Sequence, residues 1–444
     1  MEWLVPPGEE YRGLSRQKWC SVAMAAVLLV AALDVATASA PSIEQSGSRD
    51  TRQLRLVKFG VDNILDLRFE PLRGKRIALV CNSASRTRLL HETAEVFGNT
   101  TTIIVRTILV PEYSYWCNRP VSTIQQESIA GVRVQALIGV QRRPTKAMLE
   151  GCDATVVDLQ DVGLRSQTTL ATLYWVLDAC AEYGIPVYVL DRPNPLGGEV
   201  FDGAIPDPTA PRTAFTVVPV PYIHGMTIGE LALMINNEGW LSNDSTTNTP
   251  RRCELHIIKM RRWRRHLDWE NIGTEWLPTS PNVPTIAAIR GMAITGLLGE
   301  LGTVSVGIGT DSPFECIGAP ELPDSLIAAL LDVFRRYRIS AYRYTFTPNK
   351  GVFQNAVCQG VRFTTTPGQA LSYYSIAMAL LETLVGKYPP ARESLARDEV
   401  RSRLFRITGD RVFLAWNGSL SSNTDFRSTA QHFAELRSRY LLYP

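Results

Sequence analysis

Polar groups that bind, protonate or orient a ligand recur directly after short apolar runs in the first half of this 444-residue sequence. The run 76–81 leads into Asn82 and the run 101–110 into Pro111 and Glu112. The run 154–158 leads into Asp158, Gln160, Asp161 and Arg165, and 186–190 into Asp191, Arg192 and Asn194. One aspartate at a strand end is usually a helix cap or half of an ion pair. Four consecutive strand ends rich in carboxyl, amide and guanidinium groups are harder to explain that way. Charge gathered at one edge is costly to desolvate unless it serves a ligand. The chemistry suggested is acid/base and hydrogen-bonding work on a small polar molecule. His224 joins the candidates because it stands just before a helix start, where Thr227 and Glu230 have capping-box spacing.

These groups must be positioned by β-branched runs alternating with helix-period segments. Segment 168–183 reads as a helix stopped by Gly184, 227–238 as another closed by Gly239, and 254–259 as a fifth strand. Near-continuous apolar strands of this kind belong to a parallel sheet covered on both faces, in which ligands sit beyond the carboxyl ends of the strands. The last third has another rhythm. Helices are expected at 324–336, 370–384 and 428–440, and strands at 341–347, 361–365 and 411–415. This predicts an α/β parallel-sheet domain over 55–310 and a smaller α+β domain over 311–444.

Several classes are disfavoured. With 46 Lys+Arg against 43 Asp+Glu the net charge is only +3, which argues against a nucleic-acid partner. No glycine-rich dinucleotide or phosphate loop, nucleophile elbow or metal-binding helix motif occurs, so neither cofactor nor metal is expected. The basic cluster Arg251-Arg252 and 261–265 reads as a solvated or interdomain face, with attraction of an anionic envelope polymer or lipid as the weaker option. Gly307 and Gly309 read as a tight turn. At the amino terminus, Arg12, Arg16 and Lys18 precede the apolar run 21–33 and the small residues Ala38-Ser39-Ala40. That order is expected for an export signal or an uncleaved membrane anchor over 1–40, with a linker over 41–54. Of the eight cysteines, Cys20 falls in this signal, so an odd number remains beyond it.

The ordered motifs resemble a known family. GVDNIL at 60–65, LRGK at 72–75, Pro111-Glu112, DLQDVG at 158–163 with Arg165, and LDRPNP at 190–195 are followed by HGMTIGELA at 224–232, SPNVP at 280–284, VGIGT at 306–310, and Pro313-Phe314 with Gly318 to Pro320. In this order they are similar to the DUF1343 family, whose characterised members include exo-β-N-acetylmuramidases of the NamZ type. The resemblance implies a Rossmann-like domain, a smaller carboxy-terminal domain and a cleft between them. It also implies release of terminal N-acetylmuramic acid from peptidoglycan fragments, so the expected partner is a muropeptide or amino-sugar ligand. A glycosidase needs a carboxylic acid to protonate the leaving oxygen and usually a second carboxylate. Glu112, beside apolar Val110 and Pro111, is expected to be the acid/base; Asp158, Asp161 and Asp191 remain open for the second role. Arg165 or Arg192 would grip the lactyl carboxylate, and His224 and Asn282 would fix sugar hydroxyls or the acetamido group. Tyr113, Tyr115 or Trp116 would stack on the sugar, while Asn82, Gln160, Asn194, Ser280 and Thr310 complete the expected binding set.

The chain departs from the family pattern in four places. Tyr113-Ser114 replaces His-Gly, Gln167 and Thr169 replace two tyrosines, Ile308 replaces an arginine, and Gly302-Thr303 replaces Thr-Asn. These departures define an alternative reading, a homologue that keeps the fold and binds cell-wall sugar without turning it over.

Overall fold

The computed structural model describes residues 56–111, 128–139, 141–418, 420 and 426–444. Glu112, Tyr113, Tyr115, Trp116, the export signal, the linker, Cys20 and Cys117 lie outside the described residues. The six described cysteines, at 81, 152, 180, 253, 316 and 358, are free thiols.

Chain order begins with α1 (Gly60–Asp66), β1 (Arg76–Cys81), α2 (Thr93–Gly98) and β2 (Ile104–Pro111). A hairpin, β3 (Ser128–Ile129) and β4 (Val132–Leu137), precedes β5 (Ala154–Asp158), α3 (Thr169–Tyr183) and β6 (Val187–Leu190). Then come α4 (Ile228–Asn237), β7 (Leu255–Ile258) and α5 (Ile286–Gly299). The seven strands form one sheet in the order β3-β4-β2-β1-β5-β6-β7, parallel throughout except for the β3–β4 pair. β1 shows why both faces are covered. Ile77, Leu79 and Cys81 enter one apolar layer, while Ala78 and Val80 enter the layer beneath α3 and α4. Alternation at period two sends consecutive side chains to opposite faces. Each large aliphatic side chain so buried contributes about 1.5–3 kcal/mol relative to an exposed one.

Helix ends follow the local chemistry. α3 stops where Gly184 takes a left-handed conformation at φ 68°. At α4 the Thr227 hydroxyl accepts from Glu230 N, and the Glu230 carboxylate accepts from Thr227 N.

The remaining elements are β8 (Cys316–Ala319), α6 (Asp324–Arg336), β9 (Ser340–Phe346), β10 (Cys358–Thr364), α7 (Tyr373–Lys387), α8 (Pro389–Ala396), α9 (Asp398–Thr408) and α10 (Phe426–Ser438). Strands β8, β10 and β9 form an antiparallel sheet against which α6 packs. The strand expected at 411–415 is a turn instead, begun by Asp410, whose carboxylate accepts from Val412 N. α5, which has no counterpart among the expected helices, packs against α7.

The basic cluster does not form one solvated face. Arg265 is buried and paired with Glu230 at 2.7 Å, and it also donates to the carbonyls of Gly198 and Gly225. Next to it Trp263 is fully enclosed. The carboxy-terminal tail closes over this pair: Leu442 N donates to Glu230 at 2.8 Å and Arg265 N to the Pro444 carbonyl at 3.0 Å.

Candidate active site

The sheet winds outward from β1 in both directions, toward β2 and β4 on one side and toward β5, β6 and β7 on the other. The crevice at such a switch point, beyond the carboxyl ends of the strands, is where open α/β sheets bind ligands. Here it lies between β1 and β5, where Cys81 is in register with Asp158. Asn82 ties the two strand ends together by donating from Nδ2 to the Gln160 carbonyl at 3.0 Å. Gln160 donates from Nε2 to the carbonyls of Asp161 and Pro193, both at 2.9 Å. Those two acceptors fix which end of the amide is nitrogen. They leave Oε1 buried and without a partner among the described residues.

The three aspartates at these ends fare differently. Asp158 is fully buried and accepts a bidentate pair from Arg192, at 2.6 Å from Nε and 2.8 Å from Nη2, plus the Thr93 hydroxyl at 2.6 Å. The Arg192 guanidinium also donates to the Arg86 carbonyl and lies 5.3 Å over the Phe59 ring. Both oxygens of Asp158 are therefore spent on the scaffold. Asp191 is spent too. It accepts the Tyr443 hydroxyl at 2.5 Å, the Thr227 hydroxyl at 2.8 Å and Gly229 N at 2.8 Å. A Cβ on Gly229 would come within 2.7 Å of the Asp191 carboxyl carbon, so this approach requires glycine.

Asp161 alone of the three keeps an oxygen in reserve. Its Oδ2 accepts Gly163 N at 2.7 Å and lies 3.1 Å from His224 Nε2, while Oδ1 is buried with no partner among the described residues. His224 is fully buried, and its Nδ1 accepts Met226 N at 3.3 Å. That assigns the proton to Nε2, which donates to Asp161. Both ring nitrogens are thus occupied, Nδ1 by Met226 N and Nε2 by Asp161. The expected role of His224 in holding sugar hydroxyls gives way to one of orienting a carboxylate.

Burial pushes the Asp191 carboxyl up from its ordinary 3.8 to about 7, with the Tyr443 hydroxyl opposing the shift. A raised carboxyl pKa favours the protonated group in the fold, and that preference is lost as pH rises through the folded value. The unfolding free energy of wild type relative to Asp191→Asn should therefore fall by a few kcal/mol between about pH 4 and pH 7 and then level off. Urea titrations of both proteins across this range check the expectation; parallel profiles would contradict it.

Arg165 is given over to the scaffold. Its guanidinium donates to the carbonyls of Phe215, Ala204 at 3.0 Å, Ile407 at 3.3 Å and Thr408 at 2.5 Å, and the residue is 1% exposed. Two of these acceptors are the last carbonyls of α9, which ends at left-handed Gly409. A cation there complements the negative end of the helix. Of the two arginines proposed to grip a carboxylate, only Arg192 lines the cleft, with Nη1 unpartnered among the described residues.

The other predicted groups hold loops. Asn194 donates to the Met226 carbonyl at 3.0 Å and accepts Leu196 N at 2.9 Å. The Ser280 hydroxyl accepts Asn282 N at 3.3 Å, and Asn282 Oδ1 accepts Lys350 Nζ at 3.0 Å. Thr310 donates to the Gly307 carbonyl at 2.7 Å within the expected tight turn. In that turn Gly309 has φ 86°, and a Cβ on it would meet Lys350 N at 2.6 Å.

A narrow cleft beside these strand ends is lined by Gln160 and Arg192 together with Phe59, Arg86, Trp269 and Trp276. The last four belong to none of the motifs that mark the strand ends in the sequence. Trp269 and Trp276 meet edge to face at 4.9 Å, and Trp276 donates to the Val283 carbonyl at 3.1 Å in the loop that also carries Ser280 and Asn282. Their only signal in the sequence is proximity to that loop.

Two family models match the chain: exo-β-N-acetylmuramidase NamZ, N-terminal, over residues 77–287, and its C-terminal counterpart over 291–443. The chain belongs to the NamZ family. It is 29% identical over 423 residues to the peptidoglycan β-N-acetylmuramidase NamZ of Bacillus subtilis, covering 92% of this chain and 96% of that protein. Two crystal structures of DUF1343 family proteins from Bacteroides fragilis are similar to it. One has a TM-score of 0.79 at 28% identity and the other 0.60 at 26%; each covers 87% of this chain and 99% of the other. The two NamZ modules meet between residues 287 and 291, at the start of α5 and upstream of the expected boundary at 311.

Proposed function

We propose that this chain is an exported glycoside hydrolase that removes terminal N-acetylmuramic acid from peptidoglycan fragments. Membership of the NamZ family supports the reaction class, and the named activity of the Bacillus subtilis relative supports the substrate. The observation that carries the chemistry is the unspent oxygen of Asp161. Of three carboxylates gathered at the switch point, it is the one whose oxygen is not consumed by the scaffold. Glu112 follows directly on Pro111, the last residue of β2, and β2 pairs with β1. In this reading Glu112 is the acid/base that protonates the leaving oxygen, and Asp161 is the second carboxylate, held by His224. A separation of about 5–5.5 Å between the two would mean retention of configuration, and about 6.5–9.5 Å inversion. Arg192 keeps a nitrogen for the lactyl carboxylate. The charged, apolar and small-residue order at the amino terminus supports export.

Purified protein should release the chromophore from a chromogenic N-acetylmuramide and free N-acetylmuramic acid from disaccharide fragments. Absence of release, with the sugar bound in calorimetry, would overturn this reading in favour of a homologue that binds without turnover.

A further inference from the structure

Arg251, part of the basic cluster that the reaction above leaves unused, lines a second and larger cavity. Its free space is about 370 Å³, within the range of about 300–1,000 Å³ usual for small-molecule sites. The cavity runs along the second half of α3, from Tyr174 to Glu182. α3 carries the chain from the end of β5 back to the start of β6, its parallel neighbour. This half therefore lies away from the sheet edge that holds Gln160, Asp161 and Arg192, and none of those three lines the cavity.

Its floor is fixed and electrically neutralised. Asp178 is buried and accepts Ser242 N on Oδ1 and Arg143 Nε on Oδ2, both at 2.8 Å. Arg143 donates from its other nitrogens to the Asp178 carbonyl at 3.1 Å, the Tyr183 hydroxyl at 3.3 Å and the Glu182 carboxylate. Both acids lining the cavity thus already face a cation. The rim is different. Arg212 donates to the Tyr174 hydroxyl at 3.2 Å and has no carboxylate partner among the described residues. The Arg251 guanidinium lies 3.9 Å from Glu182 and makes no hydrogen bond among the described residues. Tyr174 accepts from Arg212 and keeps its own hydroxyl proton to donate. Two guanidinium groups and a hydroxyl, carried by three separate segments, therefore open into one space with donors to offer.

A guanidinium fork matches the oxygens of a phosphate or a carboxylate, and hydrogen bonds assisted by charge are the stronger kind. Trp175 and Val217 add apolar wall, so a bare ion would leave most of the space unfilled. We propose that this cavity is a second ligand site, for an anionic molecule of monosaccharide size. Arg212 and Arg251 hold its phosphate or carboxylate, and its body rests against Trp175 and Val217. The site stands apart from the reaction at the switch point and does not depend on it.

The test is calorimetric titration of glucose 1-phosphate, glucuronate and glucose into wild type, Arg212→Gln and Arg251→Gln. Wild type should bind at least one of the two anionic sugars at millimolar concentration, and about tenfold or more tighter than glucose, as hydrogen bonds to a charged group require. Binding of the phosphate alone, or of the carboxylate alone, supports the site and identifies the anion it takes. Each variant removes one guanidinium and should weaken the anionic sugar by about tenfold or more. Arg212 is exposed, so Arg212→Gln carries the test alone if Arg251→Gln fails to fold. The proposal falls if neither anionic sugar binds wild type, or if glucose binds as tightly as they do. It falls equally if a folded variant binds the anion as wild type does, because the anion then sits elsewhere, the crevice at the switch point included.

Discussion

Asp161→Asn is expected to lower kcat/KM on a chromogenic N-acetylmuramide by about 10²–10⁴-fold, while the unfolding free energy stays within about 1 kcal/mol of wild type. The two halves of this expectation have one cause. Asparagine has the shape of aspartate, and its carbonyl oxygen can keep both contacts now made by Oδ2, from Gly163 N and from His224 Nε2. What changes is the atom at the Oδ1 position, which has no partner in the described fold. An amide there satisfies the scaffold as well as the carboxylate does, but it can neither support nucleophilic attack nor stabilise an oxocarbenium-like transition state. Glu112→Gln should reduce turnover on the same scale by removing the proposed proton donor, and the double variant should lose little more than either single one, as for groups that act as a unit. Steady-state kinetics with urea denaturation of the same preparations settles the point. Full activity in Asp161→Asn would remove it from the chemistry, and a large stability loss would make it another scaffold carboxylate.

The sequence made the strand ends legible but not the directions of their side chains. β1, β5 and β6 stand out because each is a run of β-branched and aliphatic residues buried on both faces, and the groups after them are polar enough to be noticed. α4 was readable because its cap is local, with Thr227 and Glu230 three residues apart. Asp161 and Arg165, by contrast, lie in the same loop only four residues apart, yet one keeps a buried oxygen with no partner among the described residues while the other turns both terminal nitrogens onto backbone carbonyls. The difference is decided by carbonyls at Ile407 and Thr408, more than 240 positions along the chain. Arg265 reads in sequence as part of a solvated or interdomain face for a similar reason, since its partner Glu230 belongs to another element. α5 escaped notice because Ile286–Gly299 is apolar nearly all round and shows no stripe to mark it as a helix. Trp269 and Trp276 carry no motif, and only folding brings them beside Gln160.

Asp158→Asn should behave oppositely to Asp161→Asn and destabilise the fold by about 3–5 kcal/mol. Asp158 is 0% exposed and Arg192 2%, and the pair is bidentate. Two charges withdrawn from water are tolerable only because each neutralises the other, and an amide in place of the carboxylate leaves the guanidinium buried with no counter-ion. The Thr93 hydroxyl and the Arg86 carbonyl are organised around the same pair, so the loss spreads to the start of α2 and to the loop after β1. Removing both charges is a different experiment. Asp158→Asn combined with Arg192→Met deletes the orphaned cation and fills its place over Phe59 with an apolar chain, so a good part of the lost stability should return. Turnover should not return, because Arg192 is also the cleft's candidate for gripping an anionic substituent. Urea denaturation followed by circular dichroism reads the first effect and the muramidase assay the second. If Asp158→Asn unfolds within about 1 kcal/mol of wild type, the ion pair is not what holds β5 to β6, and Asp158 returns to candidacy as the second carboxylate.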